Sequence, residues 1–189
     1  QGSIVNHREV GLHTMTLASA LRGALREDPD IILVGEMRDL ETISLAVEAA
    51  ATGHLVFGTL HTENAAKTVD RIVEVFPHGE QPQIRNTLST ALRVVVAQNL
   101  FKRIDQKGRC AALEILVCTS AISNLIRDAK TVQIASVMQT GKAIGMQTLD
   151  DAIQDLLNKK WISSEEAYEK SIDKNRFAKL LKTPPDALQ

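Results

Sequence analysis

Residues 28–39 read DPDIILVGEMRD, and this stretch decides the fold. An acidic turn precedes the apolar run Ile31 to Val34, and Glu36 follows the run two residues later. A short, continuous run that is rich in β-branched residues is typical of a strand buried on both faces, as in a parallel sheet. The stretch therefore predicts a buried strand of an α/β protein with an acidic side chain just past its carboxyl end.

Residues 53–62 read GHLVFGTLHT and supply a second apolar run, which ends directly before His61. Between the two runs, Asp39 is a suitable N-cap for a helix over residues 40–51, and Gly53 is suited to end that helix. The order strand, helix, strand makes a βαβ unit, in which the two strands are parallel. Their carboxyl ends then share the sheet edge where open α/β folds place ligands, so we expect Glu36 and His61 to meet there.

The rest of the chain extends this pattern on both sides. The residues upstream of Pro29 keep helical spacing, and the residues from Ser120 onward are helical in pattern. Thr148 and Ser163 each stand three residues before an acidic residue, which is the offset of a helix cap. The remaining predicted elements are a helix over residues 84–92 and a hairpin of strands over 94–101 and 111–117. We expect a sheet-containing core over residues 1–118 and a helical region over 119–189.

Composition excludes several classes of protein. The 189 residues are 44% hydrophobic and 24% charged, with a formal net charge of -1, so the basic excess that binds nucleic acid is absent. No apolar run approaches the roughly 20 residues that cross a bilayer, which argues against direct membrane insertion. The first thirteen residues are polar and carry no apolar core of a secretion signal.

The two cysteines point to a reducing compartment. Cys110 and Cys118 lie eight residues apart at the two ends of a stretch that reads as a strand, which would separate them by about 26 Å at roughly 3.3 Å per residue. They cannot form a disulfide with each other across that distance. Neither belongs to a C-x-x-C pair, which disfavours zinc. We interpret both as reduced core residues of a cytosolic protein.

Each candidate functional residue also has a plain structural interpretation. An acid at the end of a buried strand has the form of a Walker B element, which helps to hold Mg²⁺ or orders the attacking water, but Glu36 could simply begin a loop. His54 opens its strand where His61 closes it, and a half-buried histidine bonded to backbone is an equal alternative there. Arg38 could reach a phosphate or form a solvated ion pair with Asp39 or Glu41. The same ambiguity holds for Arg22 and Arg26.

At this point the residues resemble a known family. DPDIILVGEMRD resembles the Walker B segment of the secretion ATPases that drive type II secretion and type IV pili, and GHLVFGTLHT resembles their His box. The likeness extends over essentially all 189 residues, and the runs QTG and GMQTLD within residues 139–150 resemble the retraction branch. The resemblance implies an α/β, RecA-like P-loop ATPase core, incomplete here and with a mostly parallel sheet, followed by a C-terminal helical region.

The resemblance also implies roles for particular residues. Glu36 and His61 would be catalytic, Glu36 would assist Mg²⁺, and ATP would be bound by Glu36, Arg38, His54 and His61. Residues 121–128, AISNLIRD, resemble the segment that retraction motors need for pulling. Its members are Ala121, Ile122, Asn124, Leu125, Ile126 and Arg127. Ser123 stands where the family usually has arginine, and Asp128 replaces a glutamate. The physical alternative is an amphipathic helix with its apolar residues in the core.

Two elements of the family are not found in this sequence. No G-x-x-x-x-G-K-[ST] loop occurs in the 189 residues, and neither does the acidic Asp box. The resemblance places both upstream of Gln1. Phosphoryl transfer depends on the backbone N–H groups and the lysine of that loop, so we expect the isolated chain to be inactive.

The function implied by the resemblance is a motor. The parent would be a homohexameric ATPase in the cytoplasm, peripheral to the inner membrane at the pilus base, that docks on an inner-membrane platform protein and powers pilus retraction. The alternatives are a pilus extension or type II secretion ATPase. The extension branch commonly carries a four-cysteine zinc site, which two cysteines cannot build. For the isolated chain, a non-catalytic oligomerisation and docking module is the further alternative.

Overall fold

A computed structural model describes residues 2–181 of the chain. The described residues divide into two compact units, one of residues 2–61, 70–92 and 126–129, and one of residues 62–69, 93–125 and 130–181. The elements in chain order are α1 Leu17–Ala24, β1 Ile31–Val34, α2 Leu40–Ala51, β2 Leu55–Gly58, α3 Ala65–Glu74, α4 Gln81–Ala91, β3 Val94–Lys102, β4 Arg109–Val117, α5 Ser120–Arg127, α6 Ile134–Thr140, α7 Leu149–Asn158, α8 Ser164–Lys170 and α9 Lys174–Ala178. Short 3₁₀ turns at Thr131–Gln133 and Lys142–Ile144 flank α6.

The first unit contains the predicted βαβ arrangement. Strands β1 and β2 pair in parallel, with Ile31 opposite Leu55 and Val34 opposite Gly58. Helix α2 connects them, as the sequence predicts, and α1 and α4 pack against α2. The core of this unit is apolar and consists of Leu21, Ile32, Val34, Ala46 and Ala49. The α/β fold class is confirmed.

The expectation that β1 is buried on both faces is wrong for the described residues. Ile32 and Val34 are buried, but Ile31 and Leu33 are 60% and 77% exposed. Leu55 and Phe57 on β2 are exposed as well. The reason is that helices cover one face of this two-stranded sheet and leave the other face open within residues 2–181. A continuous apolar run indicates that both faces can be buried, but it does not say that a covering layer is present.

Helix α2 begins and ends where the sequence predicts. Asp39 is its N-cap, and Oδ1 accepts a hydrogen bond from the Thr42 N–H at 2.8 Å. At the other end Gly53 adopts a φ of +114°, a conformation that residues with a Cβ rarely take. The two caps fix the length of the helix, and they therefore fix where the chain enters β2.

The second unit is built on the predicted hairpin. Strands β3 and β4 are antiparallel, from Val94 opposite Val117 to Lys102 opposite Arg109, so both extend slightly beyond the prediction. The chain returns to the free edge of β4, where Ile115 and Gln147 exchange backbone hydrogen bonds of 2.8 and 2.9 Å. One face of the hairpin joins the apolar core formed with α7, α8 and α9, through Phe101, Cys110, Ala112, Leu149, Ile153, Leu156, Ile162, Ala167 and Phe177. Both cysteines are free thiols, and burial raises the pKa of Cys118 to about 11.

The helical pattern after Ser120 is confirmed as far as residue 181. The hydroxyls of Thr148 and Ser163 accept hydrogen bonds from the backbone N–H groups three residues on, so both predicted caps are present. The predicted start of α4 at residue 84 is wrong, because the helix begins at Gln81 and includes Pro82 in its first turn. Proline is tolerated there, since the N–H that it lacks would have no partner within the helix. Residues 182–189 of the predicted helical region lie outside the described residues.

Among residues 2–181, no helix combines the length and the apolar character that crossing a membrane requires.

Candidate functional site

Glu36 and His61 meet at the carboxyl edge of the parallel pair. The His61 Nε2 and Glu36 Oε1 atoms are 2.7 Å apart, which confirms the contact predicted from the βαβ pattern. Two further contacts hold the loops side by side beyond the strands. The Met37 N–H donates to the Thr59 carbonyl at 2.9 Å, and the Thr59 hydroxyl donates to the Gly35 carbonyl. The site is therefore fixed by backbone as well as by side chains.

The Glu36 carboxylate is ionised at neutral pH. It forms an ion pair with Arg38, and this hydrogen bond lowers the pKa of Glu36, helped by His61 and opposed by partial desolvation. The pairing raises the pKa of Arg38 in turn. The His61 side chain is 81% exposed and that of Arg38 is 75% exposed. The imidazole and the guanidinium are therefore both accessible to a ligand while they contact the Glu36 carboxylate. A carboxylate, an imidazole and a guanidinium at one edge can order a water and contact a phosphate.

The ion pair of Arg38 differs from the one considered in the sequence. Arg38 pairs with Glu36 rather than with Asp39 or Glu41. The Asp39 carboxylate is already used as the N-cap of α2. Glu41 pairs with Arg22 at 2.5 Å. Both neighbouring acids therefore have other partners, and Arg38 pairs with Glu36 at the end of β1.

His54 lies at the amino end of β2, and the structure does not bring it to Glu36. Its Nδ1 atom is 3.0 Å from the Ala49 carbonyl and 3.4 Å from the Thr52 hydroxyl, and the side chain is half-buried. His54 therefore matches the structural alternative given above, a half-buried histidine bonded to the backbone. The ring also lines a cleft of about 390 Å³ together with Arg22 and Arg26. A nucleotide-binding role of His54 stays a prediction.

The segment that resembles the pulling segment forms α5. Ile122 and Ile126 are fully buried and Leu125 is half-buried, so the predicted amphipathic helix is confirmed. Asn124 and Arg127 are exposed, as is Ala121. Arg127 donates from Nη2 to the Ser89 hydroxyl at 3.4 Å. The helix thus presents a polar surface and anchors itself with an apolar one.

Residues 5–176 match the model of the family described as type II/IV secretion system protein. The chain belongs to this family. Within the type II/IV secretion system proteins, it is 58% identical over 165 residues to the twitching motility protein of Neisseria gonorrhoeae, covering 87% of this chain and 44% of that protein. It is also 58% identical over 168 residues to the type IV pilus retraction ATPase PilT of Pseudomonas aeruginosa, covering 89% and 48% respectively.

A solved structure agrees with these relatives. The pilus retraction motor PilT with bound ADP superimposes with a TM-score of 0.83 at 48% identity, over 92% of this chain and 48% of that one. The chain spans about half the length of the curated relatives that it matches. The RecA-like character expected from the resemblance is consistent with this neighbour.

Sequence reasoning missed one feature of the site of this secretion system protein. This feature is Thr59, whose hydroxyl and carbonyl both hold the loop of Glu36; its position just past β2 is the available signal. Glu36 is the one metal-binding residue that the sequence predicts, and this role stays a prediction. Within the described residues, no group of three or more His, Cys, Asp and Glu side chains could hold a metal ion. A single carboxylate fits Mg²⁺ in phosphate sites, where water and phosphate oxygens supply the other ligands.

Proposed function

We propose that the full-length protein is a cytoplasmic ATPase that powers type IV pilus retraction and twitching motility. The observation that carries the proposal is the Glu36–His61 contact of 2.7 Å at the carboxyl edge of a parallel pair. The 58% identity to a type IV pilus retraction ATPase over 89% of this chain supports it. That identity runs through residues on both sides of the site, so it favours retraction over the extension and type II secretion ATPases considered as alternatives.

Glu36 orders the attacking water in this proposal. Its carboxylate is ionised and partly shielded, and Arg38 and His61 both contact its Oε1 atom. It can accept a hydrogen bond from water and hold that water in line with the terminal phosphate. Mg²⁺, when bound with ATP, neutralises charge on the phosphate oxygens, and Glu36 is the residue of this chain that would contact its hydration shell.

His61 and Arg38 contact the phosphate in this proposal. Both side chains are largely exposed at the edge where the nucleotide would arrive. When the terminal phosphate leaves, the His61 ring loses a partner and returns to Glu36, so its position reports the state of the nucleotide. His54 could assist only through β2, because it lies at the other end of that strand.

The assembly is part of the same proposal. The full-length protein would form a homohexamer at the cytoplasmic side of the inner membrane and dock on the pilus platform protein. The sequence of this chain holds no G-x-x-x-x-G-K-[ST] loop, and this favours a second function for the 189 residues taken alone, as a non-catalytic oligomerisation and docking module. Measuring ATP hydrolysis by the 189-residue chain beside the full-length protein separates the two descriptions.

The experiment that tests the proposal is the substitution of Glu36 in the full-length protein. Glu36→Gln keeps the size of the side chain and removes its charge, so we expect kcat for ATP to fall by about 100-fold or more while nucleotide binding is kept. Glu41→Gln is the matched control, since this acid lies on the neighbouring helix and pairs with Arg22. Steady-state hydrolysis and calorimetry with Mg-ATP give the two readouts. Hydrolysis at the wild-type rate by Glu36→Gln would falsify the assigned role.

A further inference from the structure

Two segments of the second unit meet at one end of the hairpin. Residues 102–109 include the turn between β3 and β4, and residues 159–161 directly follow α7. The Ile104 N–H donates to the Trp161 carbonyl at 2.9 Å, and the Arg103 guanidinium lies over the Trp161 ring, 4.2 Å from its centroid. We name these two segments together the cationic end.

The cationic end is far more basic than the rest of the chain. Its sequence holds six lysine and arginine residues and one acid, Asp105, in a chain whose formal net charge is -1. Asp105 is occupied, since its Oδ1 accepts a hydrogen bond from Arg103 Nε at 2.8 Å. Five exposed cations therefore have no acid to pair with inside the two segments. They are Lys102, Lys107, Arg109, Lys159 and Lys160.

Two features of the cationic end are unfavourable for the folded chain by itself. Lys102 and Arg109 stand directly opposite each other in the antiparallel register, and like charges in such a pair repel each other. Lys160 adopts a φ of +57° just after α7, in a conformation that favours glycine because it strains a residue with a Cβ. A cation near the end of a helix is favourable, but Lys159 already supplies one. An anionic surface against this end would offset the repulsion and would use the charge of Lys160.

An apolar side chain lies among these charges. Ile104, in the turn of the hairpin, is 61% exposed, and the half-buried Trp161 beside it packs against the core of the unit. Exposed aliphatic and aromatic side chains next to lysines are typical of surfaces that rest in the headgroup region of a bilayer.

The kind of cation also favours a membrane over an acidic protein. Four of the five exposed cations are lysines. The ammonium group of lysine is a point charge on a flexible stem, which suits mobile headgroups, whereas arginine is suited to fixed, bidentate carboxylate pairs. Charge and apolar exposure thus point to the same occupant.

We propose that the cationic end is a docking surface for an anionic membrane, with its lysines against the phosphate headgroups and Ile104 at their level. All of its residues belong to the second unit. The docking needs no ATP hydrolysis, so the inference and the proposed ATPase function can fail independently. Each cation held near an anionic bilayer surface increases the partition coefficient by about fivefold.

The experiment measures binding of the full-length protein to sedimented vesicles at low ionic strength. We expect vesicles with about one third phosphatidylglycerol to bind the wild type about 10-fold more tightly, or better, than vesicles of phosphatidylcholine alone. Lys107→Gln with Lys160→Gly removes two charges and should weaken binding to the anionic vesicles by about 25-fold. This variant should keep the melting temperature, because glycine suits the conformation at position 160.

The matched control removes two charges elsewhere on the second unit. Lys67 and Lys142 are exposed and lie outside the cationic end. Lys67→Gln with Lys142→Gln changes the net charge equally, so binding within about threefold of wild type shows that position matters rather than total charge. Ile104→Ser tests the apolar contact, and it should weaken binding to the anionic vesicles while leaving binding to poly-glutamate unchanged.

Three results would overturn the inference. The first is equal binding of the wild type to the anionic vesicles and to phosphatidylcholine alone. The second is an equal loss, or no loss, of binding in the two double variants. The third is tighter binding to poly-glutamate than to the anionic vesicles, or an Ile104→Ser variant that binds those vesicles as the wild type does. This third result would assign the cationic end to an acidic protein.

Discussion

The Glu36 carboxylate is shared between a guanidinium and an imidazole, and this sharing decides what each group can do. Because Glu36 is ionised, a neutral His61 ring donates its Nε2 proton to it and keeps Nδ1 as an acceptor. Arg38 neutralises the carboxylate without leaving the surface. An incoming phosphate would compete with Glu36 for both donors, so ligand binding and the release of Glu36 are linked.

The two histidines of the β2 region can be separated by activity. We expect His61→Ala to lower kcat of the full-length protein by about 10-fold or more, because this ring reaches the catalytic edge. His54→Ala should leave kcat within about threefold, since its ring contacts the end of α2. Steady-state ATPase assays measure both, with the exposed His78→Ala as the control. A larger loss in His54→Ala than in His61→Ala would reverse the assignment.

Contacts between individual side chains can be predicted from the sequence when they follow from the order of the strands. The meeting of Glu36 and His61 follows from two parallel strands that end beside each other, and the sequence shows both ends. The pairing of Arg38 with Glu36 was missed because Asp39 and Glu41 lie as near to Arg38 in sequence. The sequence alone does not show that the Asp39 carboxylate is occupied as the N-cap of α2. The hydrogen bond from the Ala65 N–H to the buried Glu114 carboxylate on β4 was missed as well, because the donor is a backbone N–H far away in sequence, and no side-chain pattern marks such a bond.

At the scale of elements, helix α2 connects the two halves of the candidate site. Its N-cap, Asp39, directly follows Arg38, and the helix ends at the turn that leads into β2. The length of this helix therefore sets the register in which Glu36 and His61 meet. Sequence patterns located both of its ends because caps are local signals. They gave a wrong start for α4, which begins at Gln81 and carries Pro82 in its first turn, a position to which proline is suited.

The cap of α2 can be tested by stability. Asp39→Ala should lower the free energy of unfolding by about 1 kcal/mol at neutral pH, because Thr42 loses its acceptor. The hydrogen bond from the Thr42 N–H lowers the pKa of Asp39 below its ordinary value of 3.8. A pKa that is lower in the folded than in the unfolded state stabilises the fold at pH values above the unfolded-state pKa. This contribution is lost as the pH falls through the folded-state pKa.

Urea unfolding at several pH values measures this contribution. Asp39→Asn keeps a capping oxygen but carries no charge, so the wild type should be the more stable of the two at pH 7, and the difference should shrink below about pH 4. Glu9→Gln is a control, since this acid is exposed and lies outside the helices. A difference between wild type and Asp39→Asn that grows toward acid pH would contradict the sign of this prediction.

At the scale of the whole molecule, the proposed motor has two outputs, hydrolysis and force. The candidate site for hydrolysis is at the edge of β1 and β2, whereas the resemblance assigns pulling to α5. Composition and periodicity predicted that α5 is amphipathic, because burial of Ile122 and Ile126 follows from helical spacing. They could not predict a pulling role, because an exposed polar face is what any surface helix presents.

The two outputs can be separated by changing the polar face of α5. Ile122 and Ile126 are unsuitable targets, because truncating a buried isoleucine costs about 2–5 kcal/mol and lost motility would then reflect lost folding. Asn124 and Arg127 are exposed, so their truncation opens no buried cavity, and the 3.4 Å hydrogen bond from Arg127 to Ser89 contributes about 1 kcal/mol. We expect Asn124→Ala with Arg127→Ala in the full-length protein to keep the melting temperature within a few degrees and most of the ATPase rate, yet to abolish pilus retraction.

The matched control is Asp155→Ala with Asn158→Ala, an exposed polar pair at the same spacing on α7. Thermal unfolding, ATP hydrolysis and twitching of cells that carry each variant are the three measurements. Normal twitching with the α5 double variant would show that pulling does not depend on this face, and Ser123, in the place where the family usually has arginine, would then be the position to restore.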